Sequence, residues 1–142
     1  MYTMVIALLT LFAWSFLAAT MLPLSSEVPL VVYVRSYQQF FVPVVVATAG
    51  NYLGACTTYW IARRAAQAIG GGRETTESQT RGAKLLRRFG RPALLLSWVP
   101  VVGDALVALA GATRLPFGAF SLWVALGKGL RYIAVAWGAS AV

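Results

Sequence analysis

Two acidic side chains interrupt apolar stretches of the chain and are the first candidates for chemistry. Glu27 follows Pro23 by four residues, and Asp104 follows Pro100 at the same distance, 77 residues later. A charged side chain at the centre of a bilayer costs about 2.5–3.5 kcal/mol on insertion scales, so such residues mark functional sites by default. The chemistry that the two carboxyls offer is proton exchange beside a charged substrate.

Two cations are placed to face those acids. Lys128 and Arg131 lie in the last apolar stretch, three residues apart and therefore on one face of a helix. With Glu27 and Asp104 they would form a neutral set of four charges near the membrane midplane. One interpretation is a salt-bridge cluster that holds the helices together. The other is a binding site for a lipid phosphate, and the residues alone leave both open.

Ser25 and Ser26 come just before Glu27 and belong to the same candidate site. A helix that starts near Val28 would direct its free N–H groups at the serines, and such a helix end is suited to bind an anion. The alternative interpretation is that Ser26 or Glu27 only caps this helix, an effect of about 1 kcal/mol.

The second half of the candidate site follows the same pattern. Gly103 would form a tight turn, and Asp104 would be the N-cap of an apolar half-helix, either as a plain cap or as a functional acid. Asn51 lies 77 residues before Lys128. We expect its amide to bond a neighbouring helix rather than a substrate.

Composition places these residues in a membrane protein. The chain is 59% hydrophobic and 11% charged, with a mean hydropathy of +0.72, whereas soluble domains carry about 25% charged residues. Most of the net charge of +8 lies in the segment 63–91, which the positive-inside rule assigns to the cytoplasm. We expect Arg87, Arg88 and Arg91 to contact lipid headgroups there. A nucleic-acid partner is not expected.

The residue inventory excludes several kinds of site. Histidine is absent and Cys56 is the single cysteine. These facts exclude Ser-His-Asp catalysis, an intramolecular disulfide and a cysteine-ligated metal cluster. The sequence contains no recognisable nucleophile–base pair either. We therefore expect neither an enzyme nor a metal or other cofactor.

The elements that must position the charges are short. The chain from Glu27 to Arg35 forms about 12 Å of helix, and that from Asp104 to Arg114 about 15 Å, each about half of a 30 Å hydrocarbon core. Irregular backbone at that depth must be buried in protein or line a wet cavity. The lengths favour two re-entrant hairpins. A plain bundle of four or five helices, with residues 1–22 crossing the membrane, is the alternative.

A weak internal repeat supports the hairpins. An offset of 77 residues pairs residues 12–65 with 89–142 and keeps the proline, the acid and a mid-helix glycine in register. The paired identities include Pro23/Pro100, Phe40/Phe117, Gly50/Gly127, Leu53/Leu130 and Trp60/Trp137. Each repeat would be a re-entrant hairpin plus one transmembrane helix, with the second repeat inverted. The predicted fold is thus one all-α membrane domain over residues 1–142, with a basic linker over 63–91.

Several motifs together resemble a known family. They are "LP-x-SSE" before the first half-helix, "GNYLG" in the next helix, "RRFGRPALLLSWVPVVGDALVALAG" and "GKGLRY". Gly50 and Gly54 of "GNYLG" also form a small-xxx-small pattern, which favours close helix packing. The sequence resembles the DedA family, also called the VTT-domain or SNARE-associated Golgi protein family, and its short bacterial YqaA-type branch in particular.

The resemblance implies two facing re-entrant hairpins in the bacterial inner membrane. It also implies movement of phospholipids or a polyprenyl phosphate, coupled to protons in some members, with Glu27 as the essential acid. Larger members carry arginines where Ser97 and Gly103 stand here. Lys128 and Arg131 would supply that positive charge from the neighbouring helix.

The predicted function is therefore a flippase- or scramblase-type transporter of an anionic lipid. Its partners would be membrane lipids and further copies of the chain, since two spanning helices are too few to enclose a pathway. A proton-coupled exporter of small solutes and a non-transporting membrane scaffold are the alternatives.

Overall fold

A computed structural model describes residues 1–20, 25–69, 77–99 and 101–141, with the backbone alone for 77–82. Every regular element in these ranges is helical, which confirms the predicted all-α class. The helices are α1 Tyr2–Ala18, α2 Glu27–Tyr37, α3 Phe41–Ile69, α4 Glu77–Phe89, a 3₁₀ helix Arg91–Trp98, α5 Val102–Ala112 and α6 Phe117–Ala141. Pro23 and Pro100, the predicted hairpin breaks, lie outside the described residues.

Helix length separates the elements into two groups. Among the described residues, α3 with 29 residues and α6 with 25 are long and apolar enough to cross a membrane. By contrast, α2 and α5 have 11 residues each, about 16 Å of helix and so about half of a bilayer core. Their lengths agree with the half-helices predicted from the spacing of acid and arginine. Helix α1 has 17 residues, about 25 Å.

The chain folds into two compact units. We call Met1–Gly54 with Lys128–Val142 the terminal unit, and Ala55–Gly127 the central unit. Helices α3 and α6 each contribute residues to both units. Each unit therefore combines one half-length helix with parts of both long helices.

In the terminal unit, α1 packs closely on α3 because two glycines of α3 leave room for it. A Cβ atom on Gly50 would lie 2.6 Å from the carbonyl oxygen of Phe12, and one on Gly54 would overlap the carbonyl oxygen of Phe16. Small residues spaced by four let helix backbones approach in this way. The core beside this contact contains Leu11, Leu30, Val34, Val44, Ala47, Tyr132 and Ala136.

In the central unit, glycines again mark the closest backbone approaches. A Cβ atom on Gly111 of α5 would overlap the carbonyl oxygen of Tyr59 in α3. The hydroxyl of Tyr59 donates a hydrogen bond to the carbonyl oxygen of Leu115, at 2.5 Å. A Cβ atom on Gly127 of α6 would lie 2.6 Å from the carbonyl oxygen of Leu95 in the 3₁₀ helix.

The start of α5 corrects two predictions. Gly103 does not form a tight turn; it lies inside α5, where a Cβ atom would overlap the carbonyl oxygen of Ser97. The residue with a positive φ at the start of α5 is Val101, with φ 68°, and Val101 is also the N-cap of the helix. The prediction of Asp104 as N-cap is therefore wrong, because the helix begins two residues before it. Asp104 lies within the first turn and is half-buried.

The segment predicted as a linker is partly helical. Helix α3 continues to Ile69, past the predicted start of the linker at residue 63, since the alanine, arginine and glutamine residues there are strong helix formers. Helix α4 then occupies Glu77–Phe89, with apolar side chains at Leu85, Leu86 and Phe89 between basic ones. Such a pattern is typical of an amphipathic helix rather than of a loop. Within the central unit, α4 packs against α5 and the 3₁₀ helix.

Candidate functional site

Glu27 and Arg131 form an ion pair in the terminal unit. Glu27 is the first residue of α2, and Arg131 lies near the middle of α6. The Nε and Nη2 atoms of Arg131 donate hydrogen bonds to the same carboxylate oxygen of Glu27, at 2.9 and 2.6 Å. The Arg131 side chain is 15% exposed and that of Glu27 is 39% exposed. The carboxylate can therefore be reached from outside the unit, while the cation that holds it is largely covered.

Ser26 and Tyr132 meet beside this ion pair, since Ser26 comes one residue before Glu27 and Tyr132 one residue after Arg131. Ser26 occupies the N-cap of α2, but its side chain makes no capping hydrogen bond. Its hydroxyl oxygen instead lies 2.5 Å from the phenol oxygen of Tyr132, and both residues are buried. The capping interpretation of Ser26 is therefore wrong, because its hydroxyl bonds α6 rather than the first turn of α2.

Asn51 and Lys128 form a further buried polar contact in the terminal unit. The ammonium group of Lys128 donates a hydrogen bond to the side-chain carbonyl oxygen of Asn51, and the residues are 2% and 4% exposed. The amide nitrogen of Asn51 in turn donates to the backbone carbonyl oxygen of Ser15 in α1, at 3.1 Å. A buried lysine is stable only if its protons are bonded and its charge compensated. Asn51 thus connects α1, α3 and the buried cation of α6.

Ser25 differs from its neighbours in being exposed. Its backbone carbonyl oxygen accepts a hydrogen bond from the indole nitrogen of Trp14 in α1, at 3.2 Å. This contact ties the chain just before α2 to α1. The described structure therefore gives Ser25 a backbone contact and leaves its hydroxyl at the surface.

Six of the seven residues predicted for the site lie in the terminal unit. Five of them make side-chain contacts there, namely Ser26, Glu27, Asn51, Lys128 and Arg131. Asp104 belongs to the central unit. Arg87 and Arg88 in the last turn of α4, and Arg91 at the start of the 3₁₀ helix, have exposed side chains. Their predicted headgroup contacts stay predictions. Within the described part of the chain, no group of three or more His, Cys, Asp or Glu residues could hold a metal ion.

Sequence reasoning missed Tyr132 and Ser15. Tyr132 follows Arg131 directly and lies four residues, one helical turn, after Lys128, so its position beside two membrane cations was a usable signal. Ser15 lies in an apolar stretch, and its role depends on the backbone carbonyl that it offers to Asn51. The side-chain pattern of a sequence does not reveal such a contact.

Comparison with known proteins agrees with the sequence motifs. A family model described as the VTT domain matches residues 4–140. The inner membrane protein YqaA of Escherichia coli K12 is 44% identical over 132 residues, which cover 92% of this chain and 89% of that protein. A Haemophilus influenzae protein is 40% identical over 134 residues, which cover 88% of this chain and 82% of that protein. No solved structure matches the chain.

These matches confirm the resemblance that was read from the motifs around the two half-helices. The two long apolar helices are consistent with insertion in a bilayer, and the relatives named for their location are inner-membrane proteins. The chain is an inner-membrane protein and belongs to the VTT-domain family, also called the DedA family.

Proposed function

We propose that the protein moves an anionic lipid, a phospholipid or a polyprenyl phosphate, across the inner membrane. The observation that carries the proposal is the Glu27–Arg131 ion pair, with a covered cation and a more exposed carboxylate. A headgroup phosphate has the charge and geometry to replace the carboxylate on the guanidinium. Membrane ionisable groups of this kind commonly mark a substrate path.

Protonation of Glu27 would regulate this exchange. A neutral carboxyl binds Arg131 more weakly than a carboxylate does, so proton uptake frees the guanidinium for a phosphate. Departure of the phosphate and loss of the proton restore the ion pair. One negative charge thus remains beside Arg131 throughout, which avoids a bare cation in the membrane. Lys128, held by Asn51, provides a second covered positive charge on the same helix.

The architecture that we propose for this transport is an inverted repeat of two re-entrant hairpins. Its support is the likeness of α2 and α5, which both have 11 residues and carry an acid in the first turn. Both are followed by a residue in the left-handed conformation, Gln38 with φ 52° and Arg114 with φ 55°. A long helix starts soon after each of them, with phenylalanine as its first residue.

The assembly that we propose is a homo-oligomer with the 63–91 segment in the cytoplasm. Many large apolar side chains of α1, α3 and α6 are exposed, including Ile6, Leu9, Val45, Leu130 and Trp137. Lipid covers part of such a surface, and further copies of the chain would complete the wall of a pathway. The same proposal includes that residues 1–142 form one membrane domain.

The test is lipid movement in liposomes that contain the purified protein and a fluorescent phosphatidylglycerol. Glu27→Gln and Lys128→Met variants should lose at least about tenfold in rate, the effect of about 1.4 kcal/mol. Arg64→Gln is the matched control, because this exposed arginine lies in the central unit. Equal rates for wild type, Glu27→Gln and Lys128→Met would contradict the proposal.

The same preparation separates the alternative functions. Substrate-dependent proton flux without lipid movement, measured with a pH-sensitive dye, would favour an exporter of small solutes. A wild-type protein without transport, together with loss of folded protein in every charge variant, would favour a scaffold.

A further inference from the structure

A cavity of about 430 Å³ lies at the far end of the terminal unit from the Glu27–Arg131 pair. It is lined by the last turn of α2, the connection to α3 and the last turn of α6. The lining residues include Arg35, Gln38, Gln39, Phe40 and Ser140. Small-molecule sites typically enclose about 300–1,000 Å³. The cavity is therefore large enough for a polar headgroup.

The side chains of this cavity favour a phosphate ester. Arg35 is exposed and provides a guanidinium, which binds phosphate oxygens in bidentate fashion. Ser140 uses its hydroxyl proton in a bond to the carbonyl oxygen of Trp137, at 2.9 Å, so its oxygen remains an acceptor. The cavity thus pairs one cation with neutral polar groups.

Gln39 adds a requirement for a hydrogen-bond donor. Its amide oxygen is buried and has no hydrogen-bond partner among the described residues, while its nitrogen makes a long contact of 3.7 Å to the sulfur of Met4. A buried polar atom without a partner is unfavourable, because the loss of its hydration is not compensated. A hydroxyl or ammonium group on the ligand would satisfy it. A phosphate ester of glycerol or ethanolamine provides both the phosphate for Arg35 and the hydrogen-bond donor for Gln39.

The surroundings of the cavity favour a lipid over a soluble phosphate. Phe40 contributes an apolar wall. Phe41, the residue after Phe40, is 79% exposed, and Trp137, three residues before Ser140, is 70% exposed. Exposed aromatic rings are enriched where a membrane protein meets the headgroup region. A cavity with polar lining residues, and with exposed aromatic residues near them in sequence, is suited to a headgroup whose acyl chains remain in the bilayer.

We infer that this cavity is a docking site for the headgroup phosphate of an anionic phospholipid, separate from the Glu27–Arg131 pair. Arg35 lies eight residues after Glu27 on α2, about 12 Å along the helix. Ser140 lies nine residues after Arg131 on α6, about 13 Å away. The inference deepens the proposed function. It rests on that function for the transfer of the docked headgroup from the cavity to the Glu27–Arg131 pair.

Thiol protection tests occupancy of the cavity directly. In a Cys56→Ala background, Ser140→Cys places a thiol in the cavity, and Ser36→Cys places one on the exposed surface of α2 as its matched control. Labelling by an uncharged maleimide is followed in nanodiscs of phosphatidylcholine, with or without phosphatidylglycerol. A third sample contains phosphatidylcholine and soluble glycerol 3-phosphate.

We expect phosphatidylglycerol to slow labelling of Ser140→Cys about fivefold when about four-fifths of the sites are occupied. The Ser36→Cys rate should not change. Addition of Arg35→Gln should abolish the protection, whereas Arg64→Gln should leave it intact. Equal rates in both lipids, or protection that survives Arg35→Gln, would overturn the inference.

Protection by glycerol 3-phosphate without protection by the lipid would overturn the assignment to a lipid. Because labelling measures occupancy rather than transport, its result stands whether or not the liposome assay detects lipid movement. A failure of the docking site and a failure of the proposed function are therefore distinguishable.

Discussion

The hydroxyl oxygens of Ser26 and Tyr132 lie 2.5 Å apart in the interior of the terminal unit. The ion pair lies at the adjacent positions, Glu27 directly after Ser26 and Arg131 directly before Tyr132, so two consecutive residues at the start of α2 contact two consecutive residues of α6. The hydroxyl contact is buried and the carboxylate is more exposed. We therefore assign fixation of the half-helix to Ser26 and Tyr132, and exchange with substrate to the adjacent pair.

This division of roles predicts that Tyr132→Phe weakens folding and spares transport. Loss of the Tyr132 hydroxyl group leaves the buried hydroxyl of Ser26 without its partner, which costs about 1–3 kcal/mol in the free energy of unfolding. Ser26→Ala should have a similar effect, and the double variant should cost less than the sum of the two. Unfolding in mixed micelles by SDS titration measures the free energies. Strict additivity would show that the two hydroxyls do not interact.

The ion pair, in contrast, should be required for transport as well as for stability. Arg131→Met leaves the Glu27 carboxylate without its guanidinium and should cost about 1–3 kcal/mol of stability. Adding Glu27→Gln removes the unpaired charge and should restore part of that stability. Lipid movement should stay absent in the double variant, because neither phosphate binding nor proton exchange remains. Recovery of transport along with stability would instead indicate a purely structural pair.

Close packing of α1 on α3 predicts a sharp difference between two glycine substitutions. Gly54→Ala should destabilise the protein by about 1–3 kcal/mol, since the added methyl group overlaps the backbone of Phe16 and overpacking costs about that much. Gly138→Ala on α6 is the matched control, because a Cβ atom there meets nothing within 4 Å. Thermal unfolding of the two variants side by side measures the difference. Equal midpoints would argue against the close α1–α3 contact.

The proposed hairpins predict a specific pattern of cysteine accessibility. In a Cys56→Ala background, cysteines at Thr3 and Gln38 should react with an impermeant maleimide from the same side of the membrane. A cysteine at Lys84 in α4 should react only from the cytoplasmic side. If α1 crosses the bilayer completely, Thr3 and Gln38 will label from opposite sides. Intact and permeabilised cells provide the two conditions.

Much of the fold follows from distances along the sequence. Glu27 and Arg35 are only eight positions apart, too few to cross a bilayer, and α2 has about half of the required length. Arg131 was recognisable because an arginine in an apolar helix needs a partner. Its specific partner depends on how α2 and α6 pack, which spacing alone does not determine.

Other features depend on backbone contacts that a sequence does not reveal. The spacing "GD" suggested a turn followed by a cap, yet Gly103 is required by the nearby backbone of Ser97. Val101 has a positive φ of 68°, although a β-branched residue is disfavoured there. Helix α4 was missed because its basic residues dominated the composition of the 63–91 segment.

The hydrogen bond between Asn51 and Lys128 has an evolutionary consequence. The two residues are 77 positions apart, the offset of the proposed repeat. In that repeat, a residue that contacts its own counterpart would lie near the two-fold axis relating the copies. In an ancestor made of two identical chains, this position would hold either two lysines, which repel, or two asparagines, which carry no charge. Gene duplication and fusion would have allowed the two copies to diverge. A single buried cation at the axis then requires a chain that contains both halves.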